Sequence, residues 1–127
     1  MDKSEKSILY IEDETEMIEL VRIILSRKGF LVFGAANGPE GLRMIHEKKP
    51  DLLLLDLMMP GMDGWEVYQQ IKADENIRDV PVIVVTAKAQ PIDKVLGLRI
   101  AKVDAYINKP FTPNELLAVI QQVLARK

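Results

Sequence analysis

Short apolar runs alternate with segments of helical periodicity along the chain. Runs rich in Ile, Leu, Val and Phe predict β-strands at residues 7–11, 30–35, 51–55, 80–86 and 103–108. Apolar residues three and four apart predict helices at residues 15–28, from 38 or 39 to 48, and at 65–73, 91–101 and 113–125. The chain is therefore predicted to repeat a strand–helix unit five times.

The third and fourth predicted strands are apolar at nearly every position rather than at every second one. Such strands are buried on both faces, as in a parallel sheet that helices cover. We therefore predict an α/β fold of the flavodoxin-like kind, a doubly wound (βα)5 sheet of five parallel strands with helices on both faces. The length, without repeats or a linker-like segment, predicts a single domain over residues 1–127.

Composition excludes several classes of protein. The absence of cysteine excludes disulfides, thiolate metal sites and cysteine nucleophiles. A net charge of −2 gives no general attraction to nucleic acid or to anionic membranes. No apolar run approaches the roughly 20 residues of a membrane span, and the polar first residues are not expected to be a signal peptide. We expect a cytoplasmic protein.

Polar side chains stand where the predicted strands end. Glu12 and Asp13 follow the first strand, and Asp56 follows the third. Thr86 ends the fourth strand, and Lys109 follows the fifth. Because the carboxyl ends of parallel strands meet at one edge, we expect these side chains to converge.

Each residue type in this set has a chemical use. Clustered carboxylates require a neutralising cation, and oxygen ligands with few protein contacts suit Mg²⁺. A carboxylate can act as a nucleophile that forms an aspartyl phosphate. The transferring phosphoryl group then needs positive charge and hydrogen-bond donors, which Lys109 and Thr86 offer.

Taken singly, these residues have ordinary structural explanations. Asp56 is the kind of residue that begins a turn after a strand. Glu12 and Asp13 are acids of the kind that favours a helix N-terminus, and Thr86 is a β-branched strand residue. Their order along the chain, each at a strand end, favours the functional interpretation.

Four short motifs resemble the response-regulator receiver domains of two-component signalling, and the resemblance covers essentially the whole chain. The motifs are Glu12-Asp13, Asp56 with MMPGMDG at 58–64, Thr86-Ala87, and Lys109-Pro110-Phe111. The resemblance implies a cis peptide bond between Lys109 and Pro110. It also implies a function, that of a signalling switch controlled by phosphorylation.

The resemblance assigns roles at the site. It makes Asp56 the phosphoacceptor and a direct ligand of Mg²⁺ or Mn²⁺, together with Asp13 and the backbone carbonyl of Met58. It makes Glu12 a ligand through water. Lys109 would pair with the phosphoryl oxygens.

The resemblance also implies a switch. Thr86 would move toward the phosphoryl group while Tyr106 turns inward. The surface of the fourth helix, fifth strand and fifth helix would then change and meet a partner or output domain. Candidate exposed residues of this surface are Arg99, Lys102, Tyr106 and Asn108.

Three positions depart from, or vary within, the pattern of the family. Lys102 stands where receiver domains often have glycine, so a positive φ there would strain the backbone by roughly 1 kcal/mol. The residues that tune dephosphorylation in this family correspond to Met58 and Lys88. Neither is an obvious acceptor for an attacking water, which leads to the hypothesis of slow self-dephosphorylation.

The partners implied are a sensor histidine kinase or phosphotransfer protein, an output partner, and a second copy in a phosphorylation-dependent homodimer. The chain would assist its own phosphorylation without being an enzyme for an external substrate. A receiver-fold binding module that is never phosphorylated is one alternative. A Mg²⁺-dependent phosphohydrolase is another, although the haloacid-dehalogenase type has a second Asp where this chain has Met58.

Overall fold

The computed structural model describes residues 6–87 and 102–126. Its strands are β1 (Ser7–Ile11), β2 (Leu31–Ala35), β3 (Leu52–Leu55), β4 (Val82–Thr86) and β5 (Ala105–Asn108). They form one sheet in the order β2-β1-β3-β4-β5, and every neighbouring pair is parallel. The predicted five-stranded parallel sheet is confirmed.

The helices within the described residues are α1 (Thr15–Ser26), α2 (Gly38–Lys48), α3 (Gly64–Ala73) and a C-terminal helix (Pro113–Ala125). Three of these helices have a side chain that caps the N-terminus: Asn37 for α2, Asp63 for α3 and Thr112 for the C-terminal helix. None of these helices is long and apolar enough to cross a membrane. The helix predicted at residues 91–101 lies outside the described residues.

The observed bounds differ from the predicted ones by at most two residues, and β4 shows the cause. Val80 donates its N–H to the carbonyl of Ile77 in a turn, at 3.2 Å. Pro81 has no N–H to donate. The strand therefore begins at Val82 rather than at residue 80, because local turn bonds compete with the sheet at its edge.

Both faces of the sheet are buried, because strand side chains point alternately to either side. One face packs against α2 and α3, in a cluster that includes Leu9, Leu53, Val84, Ile45, Val67 and Ile71. The other packs against α1 and the C-terminal helix, in a cluster that includes Tyr10, Leu54, Ile83, Val21, Leu25 and Ile120. This two-sided burial confirms the doubly wound architecture and explains the continuously apolar strands.

Candidate functional site

The candidate residues lie at the carboxyl end of the sheet. Glu12 and Asp13 follow β1, and Asp56 follows β3. Thr86 ends β4, and Lys109 follows β5. From β1 the sheet extends to β2 on one side and to β3, β4 and β5 on the other, so the winding reverses beside β1. Open α/β sheets bind ligands in the crevice that such a reversal leaves at the strand ends.

Three carboxylates meet in this crevice. Oxygen atoms of Glu12, Asp13 and Asp56 all lie within 4.8 Å of one another. Glu12 and Asp56 are buried, whereas Asp13 is exposed to solvent. A set of oxygen donors with one side open to water fits Mg²⁺, which keeps several waters and binds few carboxylates.

Lys109 brings a positive charge to the carboxylates. Its Nζ lies 2.5 Å from Oε1 of Glu12, 3.5 Å from Oδ2 of Asp56 and 3.8 Å from Oε1 of Glu14. The side chain of Lys109 is only 12% exposed, so this is not a solvated surface lysine. One ammonium balances only part of the charge of the carboxylates, which leaves the crevice negative.

Asp56 is a carboxyl group with an unusual affinity for its proton. Burial raises the pKa of Asp56 from 3.8 to about 6. The N–H of Met58 donates to Oδ1 of Asp56 at 3.1 Å and lowers this pKa, because it stabilises the carboxylate. The negative charge of Glu12 raises the pKa further. The neighbours of Asp56 therefore do not fully stabilise its carboxylate, and a bound cation would add the missing positive charge.

Glu12 is an anion in spite of its burial. Burial by itself raises the pKa of Glu12, but hydrogen bonds from Lys109, Tyr10 and the backbone N–H of Glu14 outweigh it and lower the pKa below its ordinary value. For Lys109, burial by itself lowers the pKa. The hydrogen bond to Glu12 and the charge of Asp56 outweigh this effect and raise the pKa above its ordinary value. Glu12 and Lys109 therefore form a charged pair.

Tyr10 belongs to the site although no motif singled it out. Its side chain is fully buried, and its hydroxyl donates to Oε1 of Glu12 at 2.8 Å. Burial and the charge of Glu12 raise the pKa of Tyr10 far above its ordinary value, so the phenol acts as a donor. The available signal was strand alternation, which places residues two apart on the same face.

Thr86 and Tyr106 lie on neighbouring strands. The Oγ1 of Thr86 is buried and has no hydrogen-bond partner among residues 6–87 and 102–126. Because buried hydroxyls are nearly always partnered, this one is a donor suited to a group that enters the crevice. Tyr106 pairs with Val84 in the ladder between β4 and β5 and is half-buried against the cluster at α2 and α3.

The loop after Asp56 brings its backbone close to α3. A Cβ added at Gly64 would lie 2.4 Å from the carbonyl oxygen of Asp56, so only glycine fits there. Gly61 has a φ of 80°, which also favours glycine.

Met58 is 58% exposed, and the role of its carbonyl as a metal ligand stays a prediction.

Of the remaining candidates, Lys102 precedes β5, whereas Asn108 ends β5 and pairs with Thr86. Lys88 and Arg99 lie outside the described residues. Lys102 has a φ of 66°, in the left-handed region, which is the condition under which a residue other than glycine is strained there. Lys102 and Asn108 are exposed, and the peptide bond before Pro110 is cis, as the resemblance implied.

Comparisons with known proteins agree with this fold. The family model of the response regulator receiver domain matches residues 8–121. The chain is 40% identical to the phosphate regulon transcriptional regulatory protein PhoB of Pseudomonas aeruginosa, over 95% of this chain and 52% of that protein. It is also 40% identical to the DNA-binding response regulator MtrA of Mycobacterium tuberculosis, over 99% of this chain and 54% of that protein. The chain thus spans about half the length of these curated relatives.

A solved structure supports the same assignment. The response regulator receiver domain protein (CheY-like) of Methanospirillum hungatei is 35% identical to the chain, with a TM-score of 0.86. That match covers 97% of this chain and 96% of the other. Because the family match runs from β1 into the C-terminal helix, it includes every strand that contributes to the crevice. The chain therefore belongs to the response-regulator receiver domains of two-component signalling.

Proposed function

We propose that this chain is a switch that accepts a phosphoryl group on Asp56. The donor is the phosphohistidine of a sensor histidine kinase or phosphotransfer protein, or a small phosphodonor. The observation that carries the proposal is the convergence of Glu12, Asp13 and Lys109 on Asp56 in one crevice. Phosphoryl transfer to a carboxylate needs such a nucleophile, with metal-binding acids and a cation around it.

Asp13 and Asp56 would hold Mg²⁺ or Mn²⁺ directly, with the carbonyl of Met58 as a further ligand and Glu12 acting through water. When bound, the cation offsets the negative charge of the phosphoryl group. Two observations support this assignment, namely the donor set made of oxygen atoms and the negative charge that remains after Lys109 has paired.

The two oxygen atoms of Asp56 have different neighbours. Oδ1 accepts the N–H of Met58, and Oδ2 faces Lys109. We assign the attack to Oδ2, which forms a bond to phosphorus while the bond from phosphorus to the donor's nitrogen or oxygen breaks, and the electron pair leaves with the donor. Lys109 then pairs with the phosphoryl oxygens, and the buried hydroxyl of Thr86 donates to one of them.

The aspartyl phosphate biases an equilibrium between two conformations. Thr86 moves toward the phosphoryl group and Tyr106 turns inward, and the pairing of β4 with β5 supports their coupling. The surface of the predicted fourth helix, β5 and the C-terminal helix changes with them. It binds an output partner or domain, or a second copy of the chain in a phosphorylation-dependent homodimer.

Residues 1–127 would act as one receiver domain in the cytoplasm. The domain assists its own phosphorylation and dephosphorylation and has no external substrate. Its net charge of −2 argues against nucleic acid as a partner of this domain. The relatives PhoB and MtrA are named as a transcriptional regulator and a DNA-binding regulator, and they extend well beyond the matched part.

Slow self-dephosphorylation belongs to the same proposal. Met58 is exposed and apolar beside Asp56, so it offers an attacking water no acceptor. Lys88, which lies outside the described residues, would shield the phosphoryl group. We expect Lys88→Glu to shorten the half-life of the phosphorylated protein, and a wild-type half-life of seconds would contradict the hypothesis.

The proposal is tested by intact mass spectrometry after incubation with Mg²⁺ and acetyl phosphate, or with a histidine kinase. We expect the wild type to gain one phosphoryl group, Asp56→Asn to gain none, and Asp13→Asn to need a higher Mg²⁺ concentration. Asp79→Asn is the matched control, because Asp79 is exposed and precedes β4 at the opposite edge of the sheet. A folded wild type that neither donor modifies would favour the binding module, whereas steady release of phosphate from a phosphoester would favour the phosphohydrolase.

A further inference from the structure

Tyr10 is the last residue but one of β1 and joins the apolar core to the acidic crevice. Its ring packs in the cluster beneath α1 and the C-terminal helix. Its hydroxyl donates to Oε1 of Glu12 at 2.8 Å. Both side chains are fully buried, and a buried phenol or carboxylate needs a hydrogen-bond partner, so each residue satisfies the other.

Glu12 has two further donors. Lys109 also donates to Oε1, at 2.5 Å, and the backbone N–H of Glu14 donates to Oε2 at 3.2 Å. The same Lys109 lies 3.5 Å from Oδ2 of Asp56, the atom that would carry the phosphoryl group. One ammonium is therefore shared between Glu12 and the reaction.

In the proposed reaction, Lys109 turns from Glu12 to the phosphoryl oxygens. If residue 10 were apolar, Oε1 of the buried Glu12 anion would then have lost both of its protein donors, the phenol and Lys109, which is unfavourable for a buried charged group. We infer that Tyr10 is a positioning residue, which holds the Glu12 carboxylate through its hydroxyl while Lys109 turns to the phosphoryl group. Tyr10 acts through Glu12, and this role rests on the proposed function of the same site.

The test is Tyr10→Phe, which deletes the hydroxyl and keeps the ring in the core. Calorimetry measures two affinities, that for Mg²⁺ alone and that for beryllium trifluoride, a phosphoryl analogue, at saturating Mg²⁺. In the proposed mechanism, Mg²⁺ alone leaves Lys109 beside Glu12, whereas the analogue draws Lys109 away. We expect Tyr10→Phe to weaken binding of the analogue about tenfold, as loss of a hydrogen bond to a charged group does, and to leave the Mg²⁺ affinity at the wild-type value.

Tyr68→Phe is the matched control, because Tyr68 is a buried tyrosine in the cluster on the other face of the sheet. It should bind both probes as the wild type does. If the hydroxyl of Tyr10 had only a structural role, Tyr10→Phe would lower the free energy of unfolding without changing the analogue affinity, and this outcome overturns the inference. Equal weakening of both probes overturns it as well, since Tyr10 would then act on the metal site.

Binding of the analogue by the wild type distinguishes failure of the Tyr10 role from failure of the proposed function. A wild type that binds the analogue, with Tyr10→Phe unchanged, overturns the role of Tyr10 alone. A wild type that takes up neither the analogue nor a phosphoryl group overturns the proposed function and the role of Tyr10 together.

Discussion

The ammonium of Lys109 lies 2.5 Å from Oε1 of Glu12, although 97 positions separate the two residues in the chain. The strands that they follow are not neighbours, because β3 and β4 lie between β1 and β5. The Glu12 side chain is 0% exposed and that of Lys109 12%, so loss of either partner would leave a largely buried charge without its counter-charge. The pair therefore affects the stability of the fold as well as the chemistry of the site.

Lys109→Met should destabilise the metal-free protein by about 3 kcal/mol, because it leaves the buried carboxylate of Glu12 without its counter-charge. Mg²⁺ should restore part of this loss, since it supplies positive charge to the folded state alone. Urea unfolding followed by circular dichroism, with and without Mg²⁺, measures both effects. Lys28→Met, at an exposed lysine after α1, is the control, and equal losses in the two variants would contradict the prediction.

Asp56 should make the stability of the metal-free protein depend on pH. Its pKa is about 6 in the folded chain against 3.8 ordinarily, so the folded state holds the proton more tightly. The resulting stabilisation is complete below about pH 4 and is lost as the pH rises through about 6. The difference between the two pKa values corresponds to roughly 3 kcal/mol.

Asp56→Asn removes this pH dependence. With a chelator present, the variant should exceed the wild type in free energy of unfolding above about pH 6, and the difference should shrink toward pH 4. Urea titrations across that range provide the measurement. A difference that stays constant with pH would show that burial of the Asp56 carboxylate is not its source.

Gly64→Ala should lower both stability and phosphorylation. The added Cβ would lie 2.4 Å from the carbonyl oxygen of Asp56 and 2.6 Å from Cα of Leu57, so the backbone that carries Asp56 has to shift. We expect a loss of about 1–3 kcal/mol in the free energy of unfolding, together with slower uptake of phosphoryl from acetyl phosphate.

Gly61→Ala tests backbone strain alone, without the steric clash that Gly64→Ala introduces. Its added Cβ would meet nothing within 4 Å, but its φ of 80° disfavours alanine. We expect a loss of roughly 1 kcal/mol in stability, with phosphorylation close to the wild-type rate. Similar phosphorylation rates in the two glycine variants would show that contact between α3 and the backbone of Asp56 is unimportant.

Lys102→Gly should stabilise the protein by about 0.5–1 kcal/mol, because glycine adopts a positive φ without strain. Lys49→Gly should act in the same direction, since Lys49 caps the C-terminus of α2 with a φ of 47°. Lys48→Gly should have the opposite effect, because Lys48 is still within α2. Thermal unfolding of the three variants provides the comparison, and destabilisation by Lys102→Gly would contradict the prediction.

Much of the fold follows from local pattern. The apolar runs that became β3 and β4 indicated strands buried on both faces, which requires parallel strands and covering helices. Once the strands are parallel, Asp56 and Thr86 must lie at the same edge of the sheet. The bounds were less predictable, as at Val82, because Val80 bonds within a turn and Pro81 has no N–H to donate to the sheet.

The sequence by itself determined which kinds of side chain stand at the strand ends, and therefore where a phosphorylation site should lie. Only the tertiary structure decided how those groups pair: that Lys109 contacts Glu12 more closely than Asp56, that Tyr10 donates to Glu12, and that Gly64 lies against the backbone of Asp56. Residue order is enough for the first, because a strand's end is a local property. The pairing depends on distances between strands and loops far apart in sequence, and only packing of the whole sheet sets those distances.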